Sequence, residues 1–253
     1  MSSSASNNCV HRFGRTHILY DQNLVSRISP GDFKGSAQTK VNQLGRTAAH
    51  YIELQGRACV LKQYRRGGLV RHLTSKLYVF QGLGNSRMWQ EFKLLQTLRA
   101  KGLPVPRPVA ALCDVHPSMP LLPSMCYSGS LITERIDHTC TLAESLEQQA
   151  MDIDEWQQVG QFIRRFHDQQ LYHADLNANN ILWQERKQLF LIDFDKSHLK
   201  PAEADASWKQ ANLDRLLRSL RKLQPRFFEE SGWLKLLDGY QTPTDHPSSP
   251  VID

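Results

Sequence analysis

The chain has 253 residues, of which 40% are hydrophobic, and its formal net charge at pH 7 is +6. That length allows one large hydrophobic core or two smaller ones, and five cysteines without a C-x-x-C pair argue against a disulfide framework or a zinc site. No apolar run approaches the roughly 18–20 residues that cross a bilayer, and the polar N-terminus lacks a secretory signal, so we expect a cytoplasmic protein.

Positive charge is concentrated in the first half of the chain. Residues 1–112 carry 17 Lys and Arg against 4 Asp and Glu, whereas residues 113–253 carry 14 against 21. We therefore expect the basic half to contact an anionic partner, and nucleic acid, phospholipid and phosphorylated glycan all fit. A metal site is expected in the acidic half.

A β-hairpin and one helix are predicted in the basic half. Residues 1–40 show no clear periodicity, and we expect them to be partly ordered. Residues 49–54 and 58–64 have the composition of two strands, and the three residues between them predict a tight antiparallel turn. An apolar stripe over residues 88–101, followed by Gly102, predicts a helix.

A boundary between two lobes is predicted near residue 137. Three prolines within 104–108 favour an extended connection, because proline fixes φ and restricts the residue before it. Residues 130–136 then have a strand pattern, and a polar stretch follows. We therefore assign residues 1–136 to an N-terminal lobe and residues 137–253 to a C-terminal lobe.

The C-terminal lobe is predicted to be mainly helical. One helix is expected to start near Leu142, and Asp154 with Gln157 has the pattern of a capping box that starts another. The remaining predicted elements are strands at 181–183 and 189–193, helices at 206–224 and 226–240, and a frayed tail at 243–253.

Three polar residues around the two predicted strands have the pattern of a phosphoryl-transfer site. Asp175 and Asn180 are five residues apart on one loop and can face one point, which Asp193 can reach from the end of an apolar strand. Phosphoryl transfer needs a carboxylate to accept the hydroxyl proton and an Asp with an Asn to hold Mg²⁺ on the phosphates. The alternative is that Asp175 caps a turn and Asp193 is a solvated strand end.

The same segment resembles the protein-kinase-like superfamily. Residues 173–180 resemble its catalytic loop, H-x-D-x-x-x-x-N, and residues 192–195 resemble its metal-binding motif. The resemblance implies an α+β, two-lobed protein-kinase-like fold, with a small N-terminal lobe of antiparallel sheet plus one helix and a mainly helical C-terminal lobe. It also implies ATP and Mg²⁺ as cofactors, with Asp175 orienting the acceptor hydroxyl and Asn180 and Asp193 binding the metal.

The resemblance further implies a strand lysine that binds the ATP phosphates and is paired with a helix glutamate. Lys62 lies on the predicted strand 58–64, and Glu91 is the one acidic residue between Leu54 and Cys113. Lys62 and Glu91 are therefore the candidate pair. The alternative for Glu91 is an ordinary exposed carboxylate on a helix.

Two further ATP-binding segments follow from the resemblance. Gly45 and Arg46 precede the hairpin, where the superfamily has a glycine-rich loop, but a plain turn fits this single glycine equally well. Glu134 and Ile136 fall where the inter-lobe hinge of the superfamily would contact adenine through backbone groups.

Departures from the protein-kinase pattern indicate a substrate other than a peptide. Asn177 replaces the lysine expected two residues after the catalytic aspartate, Asp195 replaces a glycine, and no Ala-Pro-Glu motif follows. The closer resemblance is to the lipopolysaccharide core kinases, above all the family that phosphorylates 3-deoxy-D-manno-octulosonic acid (Kdo). Besides the catalytic loop, the segments that carry it are Gly45-Arg46, residues 62–69, Glu91-Phe92 and residues 102–108.

This closer resemblance implies a substrate and a location. The family phosphorylates the 4-hydroxyl of Kdo in the Kdo-lipid A precursor, at the cytoplasmic face of the inner membrane of Gram-negative bacteria. It implies for this chain a peripheral protein on an anionic membrane surface, with no nucleic acid partner. Arg65, Arg66 and Arg71 become candidates for binding the sugar carboxylate or the lipid A phosphates, because guanidinium groups match both; a solvated basic loop is the alternative.

Two other functions fit the same residues, and the oligomeric state is left open. One is a heptose kinase of the same core pathway, since the residues alone do not separate the two acceptors. The other is a pseudokinase that binds the lipid A region or RNA without chemistry. The complete set of Lys62, Glu91, Asp175, Asn180 and Asp193 argues against the pseudokinase.

Overall fold

A computed structural model describes residues 7–34, 48–64, 78–117 and 126–242. The chain forms two compact units, one of Met1–Thr97 with Pro106–Arg135 and the other of Leu98–Val105 with Ile136–Asp253. Helices and antiparallel sheets are both present, which confirms the predicted α+β class. The single lobe boundary after residue 136 stays a prediction. Within the described ranges, no helix combines the length and the apolar character that crossing a membrane requires.

Seven strands in the first unit form one antiparallel sheet. They are β1 (Asn8–Phe13), β2 (Thr16–Asp21), β3 (Ala48–Leu54), β4 (Arg57–Gln63), β5 (Tyr78–Val79), β6 (Pro108–His116) and β7 (Cys126–Glu134). Their order is β1-β2-β6-β7-β4-β3, and β5 pairs with β7. Short 3-10 turns occur at Pro30–Phe33 and Leu83–Asn85.

The predicted hairpin is confirmed as β3 and β4. Its turn has two residues rather than three, because Gln55 and Gly56 both have positive φ, 50° and 76°. Two such residues make a type I′ turn, whose twist matches that of the flanking strands. Lys62 lies in β4, opposite Ala49 of β3 and Leu131 of β7.

Two parts of this sheet differ from the sequence prediction. Residues 7–34 include a regular hairpin, β1–β2, and in β2 the side chains of Ile18 and Tyr20 belong to the hydrophobic core. The proline-rich connection continues into β6, which lies between β2 and β7. Nearly every residue of β6 is buried, so its sequence is a continuous apolar run. Such a run lacks the alternation of apolar and polar residues by which a strand is recognised.

Helix α1 (Arg87–Ala100) confirms the helix predicted at 88–101. Met88, Phe92 and Leu95 are buried at helical spacing and form its apolar stripe. Gly102, with a φ of 71°, follows the end of the helix, where its N–H donates to the carbonyl of Arg99 (2.8 Å).

The second unit is mainly helical, as predicted. Its helices are α2 (Leu142–Gln148), α3 (Ile153–Asp168), α4 (Ser207–Leu223) and α5 (Glu230–Gln241). Its strands are β8 (Thr139–Thr141), β9 (Leu171–Tyr172), β10 (Ile181–Gln184), β11 (Gln188–Leu191) and β12 (His198–Leu199). Strand β10 lies between β11 and β8, and β9 pairs with β12.

Capping boxes start both α2 and α3, and the one predicted at Asp154 is wrong by two residues. In α2, the backbone N–H of Thr141 donates to the Glu144 carboxylate (2.8 Å), and the backbone N–H of Glu144 donates to the Thr141 hydroxyl (3.0 Å). In α3, Asp152 and Glu155 do the same, at 2.9 and 2.8 Å. A glutamate at the third helical position accepts the N-cap N–H, so Asp152 is the cap and Asp154 lies inside the helix.

Two further boundaries in this unit differ from the prediction. Helix α5 starts at Glu230 rather than at 226, because the chain first makes a turn in which Phe228 N–H donates to Pro225 O (2.9 Å). Strand β11 ends at Leu191 rather than at 193. Asp193 has a φ of 63°, which is incompatible with a strand.

Helices α3 and α5 contact each other backbone to backbone through two glycines. A Cβ atom on Gly160 would lie 2.0 Å from the carbonyl oxygen of Leu236, and one on Gly239 would lie 2.2 Å from the carbonyl oxygen of Gln157. Any larger residue at either position must therefore push the helices apart.

Candidate active site

His173 holds the loop that contains the predicted catalytic residues. Its side chain is only 2% exposed. Its Nδ1 accepts from the backbone N–H of Asp175 (3.3 Å), and its Nε2 lies 3.1 Å from the carbonyl oxygen of Ile192. An N–H only donates and a carbonyl only accepts, so these partners assign the ring proton to Nε2. His173 therefore joins the loop to the segment that leads into Asp193.

The side chain of Asn180 closes the same loop. Its Nδ2 donates to the backbone carbonyl of Asp175 (2.9 Å), and the Nδ2 of Asn177 donates to that carbonyl as well (3.1 Å). The backbone N–H of Asn180 donates to the carbonyl of Asn177 (3.0 Å). With its amide nitrogen used inside the loop, Asn180 offers its Oδ1 atom to a ligand.

Asp193 is attached to this loop through the residue before it. The N–H of Ile192 donates to the carbonyl of Asn180 (3.0 Å), while the carbonyl of Ile192 faces His173. Asp193 itself has left-handed backbone geometry, which aspartate tolerates better than most residues. Phe194 is buried and packs on the His173 ring in a T-shaped pair, with centroids 5.1 Å apart.

Helix α4 supports the loop with three polar side chains that sequence reasoning missed. The side chain of Asn212, 1% exposed, accepts from the N–H of His173 (3.1 Å) and donates to its carbonyl (3.0 Å). One turn on, Arg215 Nη1 lies 3.6 Å from Asp175 Oδ1. Another turn on, the Ser219 hydroxyl accepts from the N–H of Ala178 (3.0 Å). Asn212, Arg215 and Ser219 therefore follow one another at a spacing of about one helical turn along α4.

The oxygen donors of the second unit fit a magnesium ion. Mg²⁺ prefers hard oxygen ligands and is usually bound by one or two protein carboxylates together with phosphates and water. The Asp193 carboxylate and the Asn180 Oδ1 are donors of that kind. In the parts of the chain that the structure describes, no group of three or more His, Cys, Asp and Glu residues is placed to hold a metal alone.

The first unit contains the predicted ion pair between Lys62 and Glu91, which confirms the pairing. Lys62 Nζ lies 2.9 and 2.8 Å from the two carboxylate oxygens of Glu91, which is 4% exposed. The hydroxyl of Tyr64 donates to the same carboxylate in a short hydrogen bond, and its ring lies below the Lys62 ammonium, 5.0 Å from the centroid. Tyr64 lies in the segment 62–69 that carries the family resemblance, but no role was predicted for it from the sequence.

Glu134 and Ile136, the predicted hinge residues, make local contacts within their own units. Glu134 accepts from Arg57 Nη1 (2.9 Å), and its backbone N–H donates to the carbonyl of Arg107 (2.8 Å). The carbonyl of Ile136 accepts from the hydroxyl of Thr139 (3.3 Å). Their contact with adenine stays a prediction. The other predicted residues, Gly45, Arg46, Arg65, Arg66 and Arg71, lie outside the residues that the structure describes.

His167 is a buried, uncharged side chain of α3 that packs against helices α4 and α5. Its Nδ1 lies 2.8 Å from the hydroxyl oxygen of Tyr240 on α5, and its ring makes T-shaped pairs with Tyr240 and with Trp208 of α4. Burial lowers the pKa of His167 from 6.5 to about 3, and the charges of Lys209 and Arg164 act in the same direction. Burial also raises the pKa of Tyr240, which keeps its hydroxyl protonated.

Comparison with known proteins identifies the family. Residues 32–240 match the lipopolysaccharide kinase (Kdo/WaaP) family. The chain belongs to this family. The match confirms the resemblance found in the sequence and the assignment as a phosphotransferase of the lipopolysaccharide kinases.

Curated relatives of this Kdo/WaaP kinase match it over most of their length. The 3-deoxy-D-manno-octulosonic acid kinase of Photobacterium profundum is 36% identical over 239 residues, which cover 91% of this chain and 97% of the relative. The protein of the same name from Mannheimia succiniciproducens is 39% identical over 206 residues, covering 78% and 82%.

A solved structure shares the fold of this Kdo/WaaP kinase. It is described as WaaP in complex with acyl carrier protein, with a TM-score of 0.54, 17% identity, and coverage of 83% of this chain and 80% of that one. At this level of identity the similarity establishes the fold, and it confirms the predicted kinase-like class.

Proposed function

We propose that this Kdo/WaaP kinase transfers the γ-phosphate of ATP to the 4-hydroxyl of Kdo in the Kdo-lipid A precursor. The observation that carries the proposal is the loop in which the Asn180 side chain bonds Asp175 while its carbonyl bonds the residue before Asp193. That arrangement supports a site in which Asp175 is the base and Asn180 and Asp193 provide metal-binding oxygens, the parts that phosphoryl transfer needs. The substrate follows from relatives that are named Kdo kinases.

Asp175 acts on the acceptor in this mechanism. Its side chain is 58% exposed, so a hydroxyl on a large glycolipid can reach it. The acceptor oxygen bonds to the γ-phosphorus, the bond from that phosphorus to the β–γ bridging oxygen breaks, and ADP leaves. The hydroxyl proton passes to the Asp175 carboxylate.

Lys62, Asn180 and Asp193 act on the nucleotide. Lys62 binds the α- and β-phosphates through its ammonium group. Its position is fixed by the ion pair with Glu91, and Glu91 in turn accepts a hydrogen bond from Tyr64. Asn180 Oδ1 and the Asp193 carboxylate would hold Mg²⁺. When bound, the ion would neutralise the charge that develops on the phosphates.

The basic first half of the chain supports the proposal that the protein binds peripherally to the cytoplasmic face of the inner membrane. Residues 1–112 carry 17 Lys and Arg against 4 Asp and Glu. An anionic membrane surface attracts each nearby basic side chain by about 1 kcal/mol. Arg65, Arg66 and Arg71 are part of this charge and are proposed to contact the acceptor or the membrane.

Mass spectrometry of the acceptor tests the proposed function. Purified protein is incubated with ATP and Mg²⁺ and either a Kdo-bearing or a heptose-bearing lipid A acceptor. We expect one added phosphate at the 4-position of Kdo, and a loss of turnover of 10²-fold or more in Asp175→Asn, the size expected for a general base. Product on heptose alone, or unchanged turnover by Asp175→Asn, contradicts the proposal.

A further inference from the structure

Helix α4 carries a row of basic side chains that begins beside Asp175, and we propose that it binds the anionic groups of the acceptor. The row, called here the α4 basic row, consists of Arg215, Arg218 and Lys222. This inference rests on the proposed function, because it takes Asp175 as the group that meets the acceptor hydroxyl. It adds the residues of the second unit that recognise the acceptor.

Arg215 is placed to meet a charged group next to the reacting hydroxyl. Its Nη1 lies 3.6 Å from Asp175 Oδ1, and the two side chains are 42% and 58% exposed. An ion pair this exposed contributes little to stability, so the guanidinium group is able to turn toward a second anion. The group has five N–H donors in a planar fork, and one carboxylate oxygen uses only part of them.

The other two members extend the row away from Asp175. Arg218 and Lys222 are three and seven residues after Arg215, so all three share one side of the helix. Seven residues of helix span about 10 Å. Both side chains are exposed, and neither forms an ion pair with any residue in the ranges that the structure covers. Arg221 differs, because it is already paired with Glu230 at 2.7 Å.

The catalytic loop itself has no basic side chain to meet an anionic substrate. Residues 173–180 contain Asp175 and no Lys or Arg, and Asn177 stands where protein kinases carry a lysine. An acceptor that carries a sugar carboxylate and lipid phosphates is repelled by such a surface unless a positive group is present. Arg215 supplies that charge from α4.

Different members of the α4 basic row bind the two kinds of anion on the acceptor, its sugar carboxylate and its phosphates. Arg215 binds the carboxylate of the sugar whose hydroxyl reacts, because it is the member beside Asp175. Arg218 and Lys222 bind the phosphates farther along the molecule. The fork of Arg215 matches a carboxylate in two parallel hydrogen bonds, which also fixes the direction of the sugar.

Steady-state kinetics with a free acid and its methyl ester test this assignment. The Kdo-lipid A acceptor and the same acceptor esterified at the Kdo carboxylate are compared with wild type, Arg215→Ala and the control Arg221→Ala. For wild type and the control, we expect a KM for the acid about tenfold below that for the ester. Arg215→Ala should lose this difference and keep its KM for ATP.

Several results would overturn the proposal. The first is that Arg215→Ala still has a lower KM for the acid than for the ester. The second is that Arg215→Ala lowers kcat but leaves the KM values unchanged, which would mean that Arg215 acts only on Asp175. A change in the KM for ATP alone would assign the group to the nucleotide.

Failure of the proposed function gives a different pattern. If wild type phosphorylates neither acceptor, the activity assignment is wrong. Binding of acceptor micelles without nucleotide then still tests the α4 basic row. We expect an affinity at least tenfold lower for the triple variant Arg215→Ala, Arg218→Ala, Lys222→Ala than for Arg221→Ala, and equal affinities overturn the inference.

Discussion

The side-chain amide of Asn180 donates to the backbone carbonyl of Asp175 at 2.9 Å, so the candidate metal ligand and the candidate base are linked directly. The position of each therefore depends on the other. A change at Asn180 removes a metal-binding oxygen and also loosens the turn that presents Asp175.

The first prediction concerns this link. Asn180→Ala should lower turnover by about 10- to 100-fold and raise the Mg²⁺ concentration needed for half-maximal activity, by the magnitudes typical of groups that orient a metal site. Asn179→Ala is the matched control, because its neighbouring amide makes no contact with Asp175 in the loop. A magnesium titration of both variants measures the effect, and identical titrations would contradict the role of Asn180.

Tyr64 gives a prediction about stability. Tyr64→Phe removes a donor to the buried Glu91 carboxylate, and hydrogen bonds to charged groups contribute about 1.5–3 kcal/mol, so the free energy of unfolding should fall by that amount. Tyr51→Phe, at an exposed position on the neighbouring strand, should change it by less than about 0.5 kcal/mol. Urea unfolding measures both. If the two variants are equally stable, the Tyr64 hydroxyl does not support the ion pair.

The glycine contact between α3 and α5 gives a third prediction. Gly160→Ala should destabilise the protein by about 1–3 kcal/mol or more through overpacking, although alanine is the better helix former. Gly84→Ala is the control, since a Cβ there meets no atom within 4 Å. Thermal unfolding compares the two, and a Gly160→Ala protein as stable as wild type would mean that the helices separate easily.

The buried histidine gives a prediction about pH. The unfolded chain protonates His167 below its ordinary pKa of 6.5, whereas the folded protein does so only near 3, so the unfolded state binds more protons between these values. The free energy of unfolding should therefore fall as pH drops from about 6.5 toward 3, by up to about 1.4 kcal/mol per pH unit from this group.

His167→Gln and His198→Gln separate this effect from other titrations. Urea unfolding between pH 7 and pH 5 should show a shallower pH dependence for His167→Gln than for wild type. The exposed ring of His198 makes that variant the control, and it should keep the wild-type dependence. Equal slopes in all three proteins would mean that folding does not lower the pKa of His167.

The candidate site was predictable where one short segment carries the information. Asp175 and Asn180 lie within one loop, and the kinase-like spacing to Asp193 is a local pattern that does not need the rest of the fold. The Lys62–Glu91 pair was predictable for another reason. An almost buried ammonium requires a partner, and the basic half of the chain offers few carboxylates.

The supporting residues could not be predicted, because their partners are far away in the chain. Arg215 lies forty residues from Asp175, and no motif relates them. Asn212 did leave a signal, since it lies among the buried leucines of α4, and a polar residue on an apolar stripe must find hydrogen bonds. The strand β6 was missed because its proline and its continuous apolar run both obscure a strand pattern.

The N-terminal hairpin β1–β2 has a consequence for how the protein can be shortened. Strand β2 provides the hydrogen-bonding neighbour on one side of β6, whose residues are mostly apolar. A protein trimmed back to β3 would retain Lys62 and every candidate residue of the second unit. It would also expose the unpaired backbone of β6 as an open sheet edge, a template onto which strands of other molecules add. The hairpin at residues 8–21 therefore covers a sheet edge against association with other molecules, in addition to supplying Ile18 and Tyr20 to the core.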